Sequence, residues 1–212
     1  MKPLADCRLY TFIDTAYLAG RDPAELARQL CDGGSDLIQV RAKGATVDDV
    51  RRLAATVRPV TQAAGVRLVI NDHLGLAAEL GAQVCHLGQE DFFDAGFTRV
   101  GQLMPDGDHP EIGLSTHAPE QAARAVAAGA DYIAIGPVFA TGTKPTAAPV
   151  TLGYVRWAAA NVAVPWFAIG GIHLRNLDDV LAAGATRICV VSAILGAPDV
   201  AAACREFRRN LG

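Results

Sequence analysis

Four times along the chain a helix end rich in alanine or leucine runs into a glycine and then into an apolar strand: CDGGSDLIQV, ELGAQVCHLG, AAGADYIAIG and AAGATRICVV. Gly34, Gly81, Gly129 and Gly184 stand just past the helix, where left-handed backbone is easiest for a residue without Cβ. Their separations are 47, 48 and 55 residues. Each is about two strand–helix units of a barrel averaging ~30 residues per unit. The repeat therefore marks the second, fourth, sixth and eighth strands of an α/β alternation. It favours a single (β/α)8 TIM barrel over an open, doubly wound sheet.

The remaining strands fall between these marks. Apolar runs predict strands over residues 8–13, 37–41, 67–70, 84–87, 111–114, 132–135, 166–169 and 187–191. Their near-continuous apolar character suits a parallel sheet covered on both faces. Helix starts are signalled by Asp22 before Pro23, and by Thr46 ahead of Asp48 and Asp49. Residues 92–110 are less regular and predict only a short helix. No linker-like segment divides the 212 residues, a length that one barrel fills. Residues 1–212 are read as one domain.

Composition excludes several classes of function. A net charge of −3 with no long run of one sign lacks the concentrated basic face that nucleic-acid binding needs. The N-terminus, MKPLADCRLY, has no apolar segment of signal-peptide type. Residues 157–174 form the longest uncharged stretch, but Asn161, Pro165 and Gly170-Gly171 make it a helix end followed by a buried strand, not a membrane span. Cys7, Cys31, Cys85, Cys189 and Cys204 include no CxxC pair. Cys85 and Cys189 read as small core residues, and the protein as cytoplasmic and reduced.

In such a barrel the chemistry gathers at the carboxyl ends of the strands. The second strand ends in QVRAKG, where period-two alternation puts Gln39, Arg41 and Lys43 on one face. A glutamine can pair with a heterocycle's edge, and the two cations can neutralise phosphate. The alternative is a solvated strand end. The third strand ends in Asn71-Asp72 and the fourth in HLGQED, which carries Glu90 and Asp91. Carboxylates at neighbouring strand ends suit Mg2+, and equally suit helix capping. His73 and His86 read as structural. After the fifth strand, GLSTH offers Ser115 as a phosphate donor, or Ser115 or Thr116 as a helix cap, with His117 an acid–base group or a surface residue. The sixth strand opens into GPVFATGTKP, whose Thr141, Gly142, Thr143 and Lys144 bring hydroxyls, approachable backbone and a cation. Gly171 in FAIGGIH and Ser192 in VVSAIL match the phosphate site that barrels build after the seventh and eighth strands. Two anion sites beside a metal exceed what a monophosphate requires and are about what a diphosphate leaving group needs.

In that order and at those spacings, QVRAK, IND, HLGQED, GLSTH, GPVFATGTKP, FAIGGI and VVSAI resemble the thiamine-phosphate synthase family. The resemblance implies a transferase of thiamine biosynthesis that joins 4-amino-2-methyl-5-(diphosphomethyl)pyrimidine to a thiazole phosphate and releases diphosphate. It implies Mg2+ at Asp72 and Asp91. By position it assigns Gln39, Arg41, Lys43, Asn71, Ser115 and Lys144 to the pyrimidine diphosphate, with Val40 and Ala42 between them in the binding segment. It assigns Thr141, Gly142, Thr143, Gly171, Val191 and Ser192 to the thiazole phosphate. Arg41, Lys43, Ser115 and Lys144 carry the catalytic role in this reading. Its partners are small molecules, without nucleic acid or membrane, and a homo-oligomer is compatible with it. Two alternatives stand beside it. One is a thiazole tautomerase of the same barrel family, relying on a histidine where His117 stands. The other is a barrel that binds phosphate ligands without turning them over.

Overall fold

Short apolar strands buried on both faces need helices outside and a filled interior, and a closed barrel supplies both. The computed structural model describes residues 1–104, 109–142 and 148–212. Its strands are β1 (Leu9–Asp14), β2 (Leu37–Arg41), β3 (Arg67–Asn71), β4 (Val84–Leu87), β5 (Glu111–Thr116), β6 (Tyr132–Ile135), β7 (Trp166–Ile169) and β8 (Ile188–Cys189). Each pairs in parallel with the next, and β8 returns to β1, closing the barrel. Between and after them run α1 (Pro23–Asp32), α2 (Val47–Ala64), α3 (Leu74–Glu79), α4 (Gln89–Asp94), α5 (Pro119–Ala127), α6 (Thr151–Asn161), α7 (Leu174–Ala182), α8 (Ser192–Leu195) and α9 (Val200–Asn210). This is the expected (β/α)8 barrel.

The local signals act as read. Asp22 accepts from the Glu25 amide at 2.7 Å with Pro23 in the first turn of α1, and Thr46 and Asp49 form a capping box on α2. The four repeat glycines all adopt positive φ, between 60° and 100°. Residues 157–174 are the end of α6 followed by β7. Within residues 92–110, α4 supplies the short helix, although it begins earlier, at Gln89. The eighth strand is shorter than expected. Val190 still donates to the Tyr10 carbonyl at 3.0 Å, but Val191 at φ −110°, ψ −86° leaves the extended region and ends the ladder.

Side chains from β1, β6 and β7 meet inside the barrel. Tyr10 of β1, Tyr132 of β6 and Phe167 of β7 pack edge to face, with centroids 5.5 to 6.1 Å apart. Aromatic pairs favour this geometry because ring edges are positive and faces negative. Room for the Tyr132 ring comes from its neighbour on β5: a Cβ at Gly113 would lie 2.1 Å from Tyr132 Cζ. Cys85 and Cys189 are buried, as expected of core residues.

Candidate active site

Alternation along β1 and β2 determines which residues reach the mouth. Phe12 stands in register with Gln39, and Asp14 with Arg41. Gln39, Arg41 and Lys43 line the mouth cavity together. Val40 is fully buried in the apolar core and Ala42 is half-buried against it; neither lines the cavity. Arg41 Nη1 donates to Asp14 Oδ2 at 2.6 Å. Asp14 is only 1% exposed, so the carboxylate is a fixed anchor for the guanidinium fork.

Asn71 and Asp72 leave β3 into the same cavity. Asp72 has φ 66°, a left-handed conformation that aspartate tolerates better than most residues. Its amide donates to the His86 carbonyl at 2.9 Å, and its carboxylate is paired with Lys43. From β4, Glu90 and Asp91 join the lining. The Asp91 carboxylate folds over Gly88, where an added Cβ would lie 2.5 Å from Oδ2. Neither aspartate caps a helix. The cap positions of α3 and α4 are His73 and Gly88, without a side-chain bond. Among the described residues no group of three or more His, Cys, Asp or Glu is arranged to hold a metal.

Ser115 of β5 faces the cavity, with Oγ 2.9 Å from His86 Nε2. His86 is buried as a structural histidine would be, yet it also lines the cavity. Thr116 points away: its hydroxyl donates to the Ala134 carbonyl at 3.0 Å and accepts from Tyr154 at 2.8 Å. Neither Ser115 nor Thr116 caps α5, whose N-cap is Ala118. The His117 ring lines the cavity and its Nδ1 donates to the Gly136 carbonyl, so it is not a plain surface residue.

The loops after β6 and β7 are built as one unit. Val138 and Phe139 donate to the carbonyls of Ile169 and Gly170 at 2.8 and 3.0 Å. Gly171 has φ 64°, and a Cβ there would lie 2.6 Å from the Ala140 carbonyl oxygen. Only glycine fits that contact and that backbone. Thr141, Gly171, Val191 and Ser192 line the cavity, while Gly142 is exposed and does not. Thr143 and Lys144 lie outside the described residues.

Sequence reasoning missed Asp14, Tyr10, Tyr132 and Gly88. Asp14 had a usable signal, a lone acid at the carboxyl end of the first strand. The tyrosines had none, because their meeting depends on the closed barrel.

A closed (β/α)8 barrel with cations on one arc of its strand-end cavity and carboxylates on the next has the arrangement of a barrel enzyme. The family model described as thiamine monophosphate synthase matches residues 9–194, and the chain belongs to that family. It is 46% identical over 180 residues to thiamine-phosphate synthase of Thermus thermophilus, covering 84% of each chain. It is 37% identical over 207 residues to that of Lawsonia intracellularis, covering 97% of this chain and 93% of the relative. Thiamine phosphate pyrophosphorylase from Pyrococcus furiosus superimposes with a TM-score of 0.85 at 29% identity, covering 98% of this chain and 96% of that one.

Proposed function

We propose that the chain works as a single-domain thiamine-phosphate synthase. It joins 4-amino-2-methyl-5-(diphosphomethyl)pyrimidine to a thiazole phosphate and releases diphosphate. One observation carries the reading: a single cavity at the strand ends gathers Gln39, Arg41, Lys43, Asn71 and Ser115 on one arc and Gly171, Val191 and Ser192 on another. Similarity to relatives named thiamine-phosphate synthase, at 37 to 46% identity, favours coupling over the tautomerase and the non-catalytic binder.

Gln39, Asn71 and Ser115 would hold the pyrimidine, and Arg41, Lys43 and Lys144 the diphosphate. Arg41 is aimed by Asp14, so its planar fork meets phosphate oxygens from a set position. Thr141, Gly142, Thr143, Gly171, Val191 and Ser192 would receive the thiazole phosphate. Val40 and Ala42 lie between these residues in the chain but outside the cavity lining, and take no contact in this reading. No protein nucleophile is needed, because the aminopyrimidine ring stabilises the methylene cation and the thiazole nitrogen captures it. The protein's work is alignment and charge neutralisation.

Asp72 and Asp91 fit Mg2+. They offer hard carboxylate oxygens to one cavity from neighbouring strand ends, leaving other positions to water and substrate oxygens. When bound, the ion would neutralise charge on the departing diphosphate. Among the described residues no helix is long and apolar enough to cross a membrane. A cytoplasmic protein with small-molecule partners, compatible with a homo-oligomer, completes the proposal.

The test is diphosphate release by purified protein. Release should require both reactants and Mg2+, and Lys144→Ala and Asp91→Ala should each slow it more than about tenfold. Unchanged rates in both variants would remove the assignment. Interconversion of thiazole tautomers without release would favour the isomerase.

A further inference from the structure

Gln39 and Ser115 are joined through the barrel by a continuous chain of hydrogen bonds. Gln39 Nε2 donates to the Tyr10 hydroxyl. The Tyr10 and Tyr132 hydroxyls are 3.1 Å apart. Tyr132 Oη lies 2.8 Å from His86 Nδ1, and His86 Nε2 lies 2.9 Å from Ser115 Oγ.

Proton accounting gives this chain a direction. An amide nitrogen only donates, so the Tyr10 oxygen accepts from Gln39 and its own proton goes to Tyr132. Tyr132 then donates to His86 Nδ1. A neutral imidazole with Nδ1 accepting carries its proton on Nε2, and that proton goes to Ser115 Oγ. With Gln39 Nε2 on Tyr10, the opposite order would strand the Tyr10 proton at a residue 1% exposed, beside a Tyr132 that is 0% exposed; buried donors without acceptors are disfavoured, and only turning the Gln39 amide over would reverse the chain. Burial holds both phenols well above their ordinary titration range, so each keeps a proton to pass on.

We infer that Tyr10, Tyr132 and His86 are positioning residues that set the hydrogen-bonding sense of the pyrimidine pocket, presenting Ser115 as a donor and the Gln39 carbonyl as an acceptor. This rests on the reading that the pyrimidine lies against Gln39 and Ser115. An aminopyrimidine edge has the complementary pattern, ring nitrogens that accept and an exocyclic amine that donates. The corresponding oxo-pyrimidine edge inverts it, and the pocket discriminates against that class.

Long-range 1H–15N correlation spectra of the 15N-histidine-labelled enzyme read the tautomer directly, with His86→Gln assigning the signal. The expected form is Nε2–H. Tyr132→Phe removes the phenol oxygen that faces Nδ1. The KM for the pyrimidine diphosphate should then rise about tenfold, the worth of one hydrogen bond, while that for the thiazole phosphate stays within about twofold. Tyr10→Phe, which breaks the chain one link earlier, should act the same way if Tyr132→Phe fails to fold. An Nδ1–H tautomer in the unaltered enzyme, or an unchanged pyrimidine KM in a folded variant, overturns the inference. If the unaltered enzyme does not couple the reactants at all, the functional reading falls instead, and the tautomer is still read from the same sample.

Discussion

Asp14 sits beneath Arg41 at the end of β1, its Oδ2 accepting from Nη1 at 2.6 Å while Oδ1 accepts from the Ala16 amide at 3.0 Å. The carboxylate is thus held by backbone on one side and aims the guanidinium on the other. Asp14→Asn keeps the shape and removes the charge. It should slow diphosphate release at least about tenfold, roughly 1.4 kcal/mol of barrier, with an unaltered near-UV circular dichroism spectrum. A rate within about twofold of the parent would show that Arg41 does not depend on this anchor.

The carboxylate pair should govern the demand for metal. Asp72→Asn and Asp91→Asn are each expected to raise the Mg2+ concentration for half-maximal rate by about 10–100-fold. Gly88→Ala should do the same without replacing either carboxylate, because its methyl would lie 2.5 Å from Asp91 Oδ2 and displace it. Metal titrations of the three variants check this; an unshifted titration in all three would move the ion elsewhere.

Gly171→Ala should be damaging beyond its size. Its φ of 64° and the Ala140 oxygen 2.6 Å from the new Cβ force the joined loops apart, at about 1–3 kcal/mol. The expected signature is a raised KM for the thiazole phosphate with that for the pyrimidine diphosphate little changed.

Alkali should unfold the protein through its buried phenols. Burial raises Tyr154 to about 12 and holds Tyr10 and Tyr132 well above 10, whereas unfolded tyrosines release protons near pH ~10. The folded state therefore binds protons more tightly. Its stability from these groups is complete below about pH 10 and is lost as pH rises through the folded values. Urea midpoints measured from neutral pH to about pH 11 should begin to fall near pH ~8.5, where the thiols that burial raises ionise in the unfolded chain, and fall more steeply above about pH 10, with that steeper part shallower in Tyr154→Phe.

Asp36 should matter for stability without touching the site. It accepts from Lys2 Nζ at 2.8 Å and from the amides of Arg8 and Leu9 at 2.6 and 3.0 Å. Burial alone would raise its carboxyl; these donors outweigh it and hold the value below the ordinary range. Its contribution is present above the ordinary carboxylate range and lost as pH falls through the lowered value. Asp36→Ala should cost about 3 kcal/mol at neutral pH, read by urea denaturation, with coupling kinetics preserved.

Much of this architecture was legible because it is periodic. QVRAK alternates, so Gln39, Arg41 and Lys43 had to share a face once the strand was recognised, and Asn71, Asp72, Ser115 and Ser192 followed from the rule that barrel chemistry gathers at strand ends. What stayed hidden depends on closure or on single-residue offsets. Tyr10 and Tyr132 are 122 positions apart and meet only because β1 and β6 curve around one interior. Whether Asp72 and Asp91 cap helices turns on where α3 and α4 begin, which no local pattern fixes to the residue. The brevity of β8 came from the backbone turn at Val191, in an apolar run that reads as strand throughout.

The Tyr132 ring occupying the space beside Gly113 makes the interior adjustable at one point. A smaller residue at 132 would open room behind Tyr10 and His86, which line the cavity, while a larger one at 113 has nowhere to go. Reshaping this scaffold for a bulkier heterocycle would therefore begin with that aromatic plug and leave the charged rim as it stands.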